Sequence, residues 1–307
     1  MTLNYCHLLV VSLFLAGLKA NDSMQLPWHS TPEWQPTEFR RFEAGLDTSM
    51  GTARIITDAG KTYIKAMGNR QGPHLLAVEL IATRLAHWFK LSVLDHAVIE
   101  IDSSVDEIPF LRGGFAESGP AFVTRAIQGH PWGGSAEELR LVVNPQEISR
   151  LVVFDSWVRN CDRYPPDLTE RKPNYDNVLL EELAGDDADR LRLIAMDHTH
   201  CFGCARDLDA RCSHIDRVKD DRVYGLFPGF VPWMQRSDVE AAVADLSMLD
   251  RNWVESVVND VPEKWDVPAE AKHALADLIC WRAKFVNEYL VDAVAKVCWP
   301  DQQADTK

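Results

Sequence analysis

The chain has 307 residues, 46% of them hydrophobic and 25% charged, which is ordinary for a globular protein and enough for one large domain or two small ones with ample core. Lys and Arg number 32 against 46 Asp and Glu, a net charge of −14, and no Lys/Arg cluster is interleaved with aromatics. Nucleic acid and anionic membrane are therefore excluded as partners, and any phosphate-bearing ligand has to be held by local groups, a metal or backbone amides.

Residues 1–30 read as an extension. Within it Leu8–Leu18 is an eleven-residue apolar run, the length of a signal-peptide core and too short to span a bilayer. No Lys or Arg precedes it, and Leu18 spoils the small-x-small cleavage pattern. It reads as a frayed or misassigned start, with Met24 as an alternative first residue, and a cytoplasmic location is preferred to secretion. Pro and Trp between Leu26 and Pro36 make a loop-like lead-in. Ala53–Thr57 and Lys61–Met67 alternate as two strands around the turn Asp58-Ala59-Gly60, a hairpin. A helix follows over 74–90, with Ala77, Ile81, Leu85 and Trp88 along one face. Strands at 97–101 and 121–127 complete an α+β lobe over residues 31–129.

The glycines and proline between Gly129 and Ser135 mark a boundary. The second lobe, 130–298, opens with a helix from Pro145 whose apolar stripe is Ile148, Leu151, Val152 and Val158. Two strands, Val178–Leu180 and Leu191–Met196, flank the acidic turn at Glu182–Asp189. Helices at 238–249, 252–259 and 269–297 end the lobe, and 299–307 read as a disordered tail.

Three oxygen-bearing side chains are expected to converge. A turn centred on Asp187 pairs Asn177 directly with Asp197 at the open end of the ladder, with Cβ atoms about 5 Å apart. A carboxamide oxygen and a carboxylate so placed suit Mg²⁺, which takes few protein oxygens and completes its shell with phosphates and water. Asp162, in the loop after the Pro145 helix, leads toward the same place. Asn and Asp also favour strand ends simply as turn formers, so it is the joint placement that points to a metal. Lys65 and Glu79 form a second pair: Glu79 sits among Leu75, Leu76 and Leu80, and a carboxylate in apolar company needs a cation to offset desolvation.

Cysteine is the remaining signal. Seven is an odd count in a chain too large to need disulfide staples. Cys6, Cys280 and Cys298 look like small hydrophobes, and buried or idle thiols are the default for the rest. The rival reading is a structural zinc on Cys201, Cys204, Cys212 and His214, of which the Cys201-x-x-Cys204 half has suitable spacing and the Cys212-x-His214 half is cramped.

The segments Asn160-Cys161-Asp162-Arg163, Asn177-Val178-Leu179-Leu180 and Ile194-Ala195-Met196-Asp197-His198 resemble the catalytic and metal-binding segments of HipA-like kinases and their phosphoinositide-kinase relatives. The resemblance extends to Tyr63-Ile64-Lys65 before the helix holding Glu79, and to Val261–Trp265 before a long helix containing Arg282. It covers Glu38 to Leu290. It implies a protein-kinase-like two-lobed fold, with a small β-rich N-terminal lobe and a mainly helical C-terminal one. It also implies ATP- and Mg²⁺-dependent phosphoryl transfer to a hydroxyl, of a protein Ser or Thr. Asp162 would orient or deprotonate the acceptor, Asn177 and Asp197 would hold Mg²⁺, and Lys65, fixed by Glu79, would contact the α/β-phosphates. Two departures stand out. Fifteen positions separate Asp162 from Asn177, against about five in kinase catalytic loops, so the stretch Tyr164–Asn174 must loop out. The glycine-rich loop is poor, with Gly45 and Gly51 and the hydroxyls of Thr48 and Ser49; Ser49 and Gly51 are expected to cover phosphates with hydroxyl and amide. The alternatives are a nucleotide-binding pseudokinase acting as an interaction module, and the zinc-stabilised binding protein.

Overall fold

The computed structural model describes residues 34–300. The expected extension over 1–30, with its apolar run Leu8–Leu18 and Met24, and the tail from 301 onward lie outside the described residues.

The first elements are β1 (Phe39–Gly45), β2 (Ala53–Thr57), β3 (Gly60–Lys65), α1 (His74–Trp88), β4 (His96–Ile101) and β5 (Gly119–Arg125). The strands form one antiparallel sheet in the order β1-β2-β3-β5-β4. Ala53, Ile55, Thr57, Thr62 and Ile64 alternate inward along the β2–β3 hairpin, as a period of two demands. β1 was not expected from the sequence. Its register shifts twice against β2, between Phe39 and Arg41 and between Phe42 and Ala44, and such bulges erase the alternation that identifies a strand.

Helix α1 departs from the expected single stripe. Eleven of its residues from Leu75 to Ala86 are buried, because one side covers the sheet and the other joins the core of the larger lobe. Trp88 at its end meets Trp157 and Trp253.

The larger part comprises β6 (Gly129–Pro131), α2 (Ala136–Arg140), α3 (Gln146–Val158), β7 (Val178–Glu182), β8 (Leu191–Ala195), α4 (Ile215–Val218), α5 (Arg236–Leu246), α6 (Arg251–Asn259) and α7 (Ala269–Cys298). β6, β7 and β8 make a three-stranded sheet. β6 lies where the sequence suggests only a boundary loop: Gly129 pairs with Glu181, and a Cβ at Gly129 would collide with the Leu180 carbonyl, so the glycine permits the close approach of two backbones. The stripe Ile148, Leu151, Val152 and Val158 of α3 is buried.

Arg282 of α7 is wholly buried. Its Nε donates to the Trp157 carbonyl at 2.8 Å, its Nη2 to the Ser156 carbonyl, and its Nη1 to the Arg217 and Asp220 carbonyls at 2.8 and 3.0 Å. The guanidinium thus caps the last turn of α3, where helix carbonyls otherwise lack partners. Arg282→Met is expected to lower the unfolding free energy by about 3 kcal/mol. Exposed Arg236→Met, which removes a surface pair with Glu240, should change it by less than about 0.5 kcal/mol. Urea titration of both variants measures the difference.

Candidate active site

Lys65 is the last residue of β3 and Glu79 lies one turn into α1. Lys65 Nζ stands 2.9 Å from Glu79 Oε2 and 3.0 Å from Asp197 Oδ1, with side-chain exposures of 11%, 4% and 31% for Lys65, Glu79 and Asp197. Asp197 follows β8 in a left-handed conformation (φ 54°), which turns the chain so that the His198 N–H donates to Glu79 Oε2 at 3.1 Å. Two consecutive elements and a third far away in sequence therefore share one buried cation.

Asp162 is held by a second group. Helix α3 ends at left-handed Arg159, and Asn160 Oδ1 accepts from the Asp162 N–H at 3.1 Å. Arg163, wholly buried, donates to Asp155 Oδ1, to the Asn177 carbonyl at 3.1 Å and to the Met196 carbonyl at 2.9 Å. It locks the loop against both strands of the β7–β8 hairpin. Asp162 Oδ2 accepts from Asn174 Nδ2 and Asn177 Nδ2, each at 2.9 Å, and Asp162 Oδ1 accepts from Arg171 Nη1 at 2.6 Å. The two groups are joined by Thr199, whose Oγ1 donates to Asp197 Oδ1 at 2.8 Å and lies 3.2 Å from His200 Nδ1, itself 3.8 Å from Asp162 Oδ2.

The hairpin register differs from expectation by one residue. Val178 pairs with Ala195, so Asn177 stands opposite Met196, whose N–H reaches the Asn177 carbonyl at 3.4 Å. The cause is the turn: Gly185–Asp187 form a 3₁₀ turn whose centre lies half a residue before Asp187. Asp197 still comes round to the site because its left-handed backbone bends the chain after β8.

A cavity of about 250 Å³ opens beside Lys65, Glu79 and Asp197, walled by Leu46, Tyr63, Phe122, Ile127, Leu179 and Met196. Thr48 and Thr52 face it from the β1–β2 connection. Ser49 is exposed and Gly51 packs on the Phe110 ring, where a Cβ would come within 2.9 Å. Neither of these two is among the lining residues.

Asp197 and Asn177 are hard oxygen donors of the kind Mg²⁺ takes, although Asn177 is not among the residues lining the cavity. Asp197 Oδ1 is taken by Lys65 and Thr199, and among the described residues its Oδ2 takes no hydrogen bond. The Asn177 amide is oriented by giving Nδ2 to Asp162 and accepting Asn174 on Oδ1 at 3.0 Å. Two hard oxygens suffice where phosphates and water complete the shell. Zinc is not supported: among the described residues no group of three or more His, Cys, Asp or Glu is placed to hold a metal. Cys204 is paired in a disulfide with Cys161, Cα atoms 5.7 Å apart, Cys201 and Cys212 are buried free thiols, and His214 is exposed. The expectation of idle thiols thus describes Cys201 and Cys212 but not the pair flanking the Asp162 loop.

Burial works to lower the Lys65 pKa, but Asp197 and Glu79 outweigh it and the ammonium is held above its usual range. Burial raises Glu79, only partly countered by Lys65. Burial likewise works against the Asp197 carboxylate, and Lys65 and Thr199 overcome it to hold the group well below the ordinary value. Asp162 is lowered: burial is outweighed by His200, Asn174 and Arg171. Burial also lowers His200, and the hydrogen bonds from Asn174 and Arg171 favour the Asp162 carboxylate independently of it.

The sequence matches the family model described as HipA-like kinase over residues 55–297. No curated protein matches it. Among solved structures, the Helicobacter pylori proinflammatory kinase CtkA is similar over 85% of this chain and 97% of that one, at 10% identity and a TM-score of 0.52. Hydra Fam20, solved with sugar, is similar over 88% of each chain at 10% identity and a TM-score of 0.48. Shewanella oneidensis HipA, solved with HipB and operator DNA, is similar over 86% of this chain and 70% of that one, at 11% identity and a TM-score of 0.35. The architecture is protein-kinase-like, mixed α+β, with a small antiparallel sheet region and a helical C-terminal part.

Because Asp197 titrates lower when folded than when unfolded, its contribution to stability is complete above its unfolded value near 3.8 and is lost as pH falls through the folded one. The unfolding free energy of the wild type should therefore drop more steeply between about pH 5 and pH 3 than that of Asp197→Asn. Parallel slopes in urea titrations across that range would contradict the assignment.

Proposed function

The chain belongs to the HipA-like kinases, and on that premise we propose that it transfers the γ-phosphoryl group of ATP to the hydroxyl of a protein Ser or Thr, with Mg²⁺. The observation that carries the reading is Lys65, held between Glu79 and Asp197 at the end of a cavity with apolar walls. An adenine ring suits such walls, and triphosphate oxygens suit a buried ammonium that has one permanent and one exchangeable carboxylate partner. Glu79 keeps Lys65 in place while the phosphates share it with Asp197. Asn177 and Asp197 would hold Mg²⁺, which would supply neutralisation of phosphate charge that the net −14 of the chain otherwise repels. Thr48 and Thr52, rather than Ser49 and Gly51, line the cavity on the side of the β1–β2 connection. Asp162, kept ionised by Asn174, Arg171 and Asn177, accepts a hydrogen bond from the acceptor hydroxyl and orients it. The division of the chain at Gly129, between a nucleotide-covering lobe and an acceptor lobe, belongs to this reading. Among the described residues no helix is long and apolar enough to cross a membrane.

Incubation with labelled ATP and Mg²⁺ tests the reading, with autophosphorylation and transfer to a mixed protein substrate as readouts. Asp197→Ala is expected to lose transfer by at least about a hundredfold, and Asp162→Asn to lose it by about 10²–10⁴-fold while binding ATP within about twofold of the wild type. Lys65→Met should raise the KM for ATP and lower kcat together. If wild type and Asp162→Asn bind Mg·ATP equally and neither transfers phosphate above background, the chain is a nucleotide-binding pseudokinase.

A further inference from the structure

Both oxygens of Asp162 are occupied within the protein. Oδ2 is bonded by Asn174 and Asn177, carboxamides that bracket a single 3₁₀ turn, Tyr175–Asn177. Their position is fixed, because the Asn174 N–H donates to the Asp162 and Arg163 carbonyls at 3.1 and 3.0 Å. Oδ1 is bonded by Arg171, which reaches in from the looped-out stretch between Asp162 and Asn177 and keeps 35% of its side chain exposed. A carboxylate oxygen carries two lone pairs and Arg171 uses one on Oδ1, so a hydroxyl that donates to the other lies directly beside the guanidinium, as do the residues that flank it. The partly exposed guanidinium has donors beyond the one given to Asp162, and an anion is the partner they favour.

The position of Arg171 says where that anion lies. Arg171 is not among the residues lining the nucleotide cavity, whose cation is Lys65. It bonds Asp162, which is likewise outside that lining and reaches Asp197 through intervening residues such as His200 and Thr199. Acids on the same stretch do not claim it: Asp167 accepts from the Thr169 N–H and hydroxyl, and Glu170 acts on Arg222. We infer that Arg171 is a specificity-determining residue that selects a Ser or Thr hydroxyl within an acidic peptide segment. A carboxylate of the segment takes the remaining donors of the guanidinium while the hydroxyl takes the open lone pair of Oδ1. In a chain of net charge −14 such a segment needs a local cation to approach at all. The inference rests on the kinase reading of the site.

The test uses three fluorescein-labelled peptides, each with one Ser flanked by four Glu, four Gln or four Lys, and fluorescence anisotropy with Mg·ADP present. Wild type is expected to bind the Glu peptide at least about tenfold more tightly than the Gln peptide. Arg171→Gln should reduce that ratio to about twofold or less, Arg171→Lys should restore part of it, and Arg171→Glu should favour the Lys peptide. Thermal melts within a few degrees of the wild type show that the variants fold. With labelled ATP on the same peptides, Arg171→Gln should raise the KM for the Glu peptide by about tenfold and leave the KM for ATP within about twofold. Equal binding of Glu and Gln peptides by the wild type, or undiminished Glu-peptide binding by Arg171→Gln, overturns the inference. Binding that follows the pattern with no phosphate transfer to any peptide or to the protein itself sustains the role of Arg171 and overturns the kinase reading instead.

Discussion

The structure around the cavity depends on one buried ammonium held by two carboxylates. Lys65 ends a strand of the first sheet, Glu79 belongs to α1, and Asp197 follows the last strand of the second sheet. Removing Lys65 leaves two carboxylates without a cation, whereas removing one carboxylate leaves Lys65 paired with the other, so the lysine is the partner whose loss is most damaging. The triad also explains the burial of α1 on nearly all sides. The helix has to lie against the sheet to bring Glu79 to Lys65, and against the large core to bring it to the His198 amide. Packing and electrostatics thereby demand the same placement of one helix.

A second buried cation organises the neighbouring loop without touching the cavity. Arg163 bridges Asp155 on α3, the Asn177 carbonyl and the Met196 carbonyl, so the residues on either side of the proposed chemistry are spaced by a single planar group. A guanidinium is suited to this because its donors diverge in one plane and its charge is weakly hydrated. The Cys161–Cys204 disulfide, adjoining Asp162 on one side and the chain after His200 on the other, adds a covalent tie between the same two segments. The loop is held rigidly at its base, and the stretch carrying Arg171 is its more exposed part.

Charge is distributed against the average of the molecule. The chain as a whole is strongly acidic, yet Lys65, Arg163 and Arg171 are each turned inward onto a carboxylate of the site. Phosphate and acidic groups can therefore be bound only where cations have been concentrated locally, in a medium whose polarisability is lower than that of water. This makes position, more than net charge, the determinant of what the protein accepts.

Local pattern in the sequence was enough for the hairpin at β2–β3, for α1 and α3 and for the long C-terminal helix, while the acidic and amide residues of the candidate site came into view through a resemblance of motif order. Periods of two and of 3.6 are written into neighbouring residues, and so they survive in the chain itself. Only the tertiary structure decided which residues meet. The bulged edge strand β1 left no alternation to read, and the one-residue difference in the β7–β8 register was set by how the Gly185–Asp187 turn closes. Lys65 meets Asp197 across 132 positions and Cys161 meets Cys204 across 43. Arg171 and Asn174 reach Asp162 only because the looped-out stretch folds back on its own base. Contacts of this kind follow from the packing of whole elements, and no short window of residues carries a periodic trace of them.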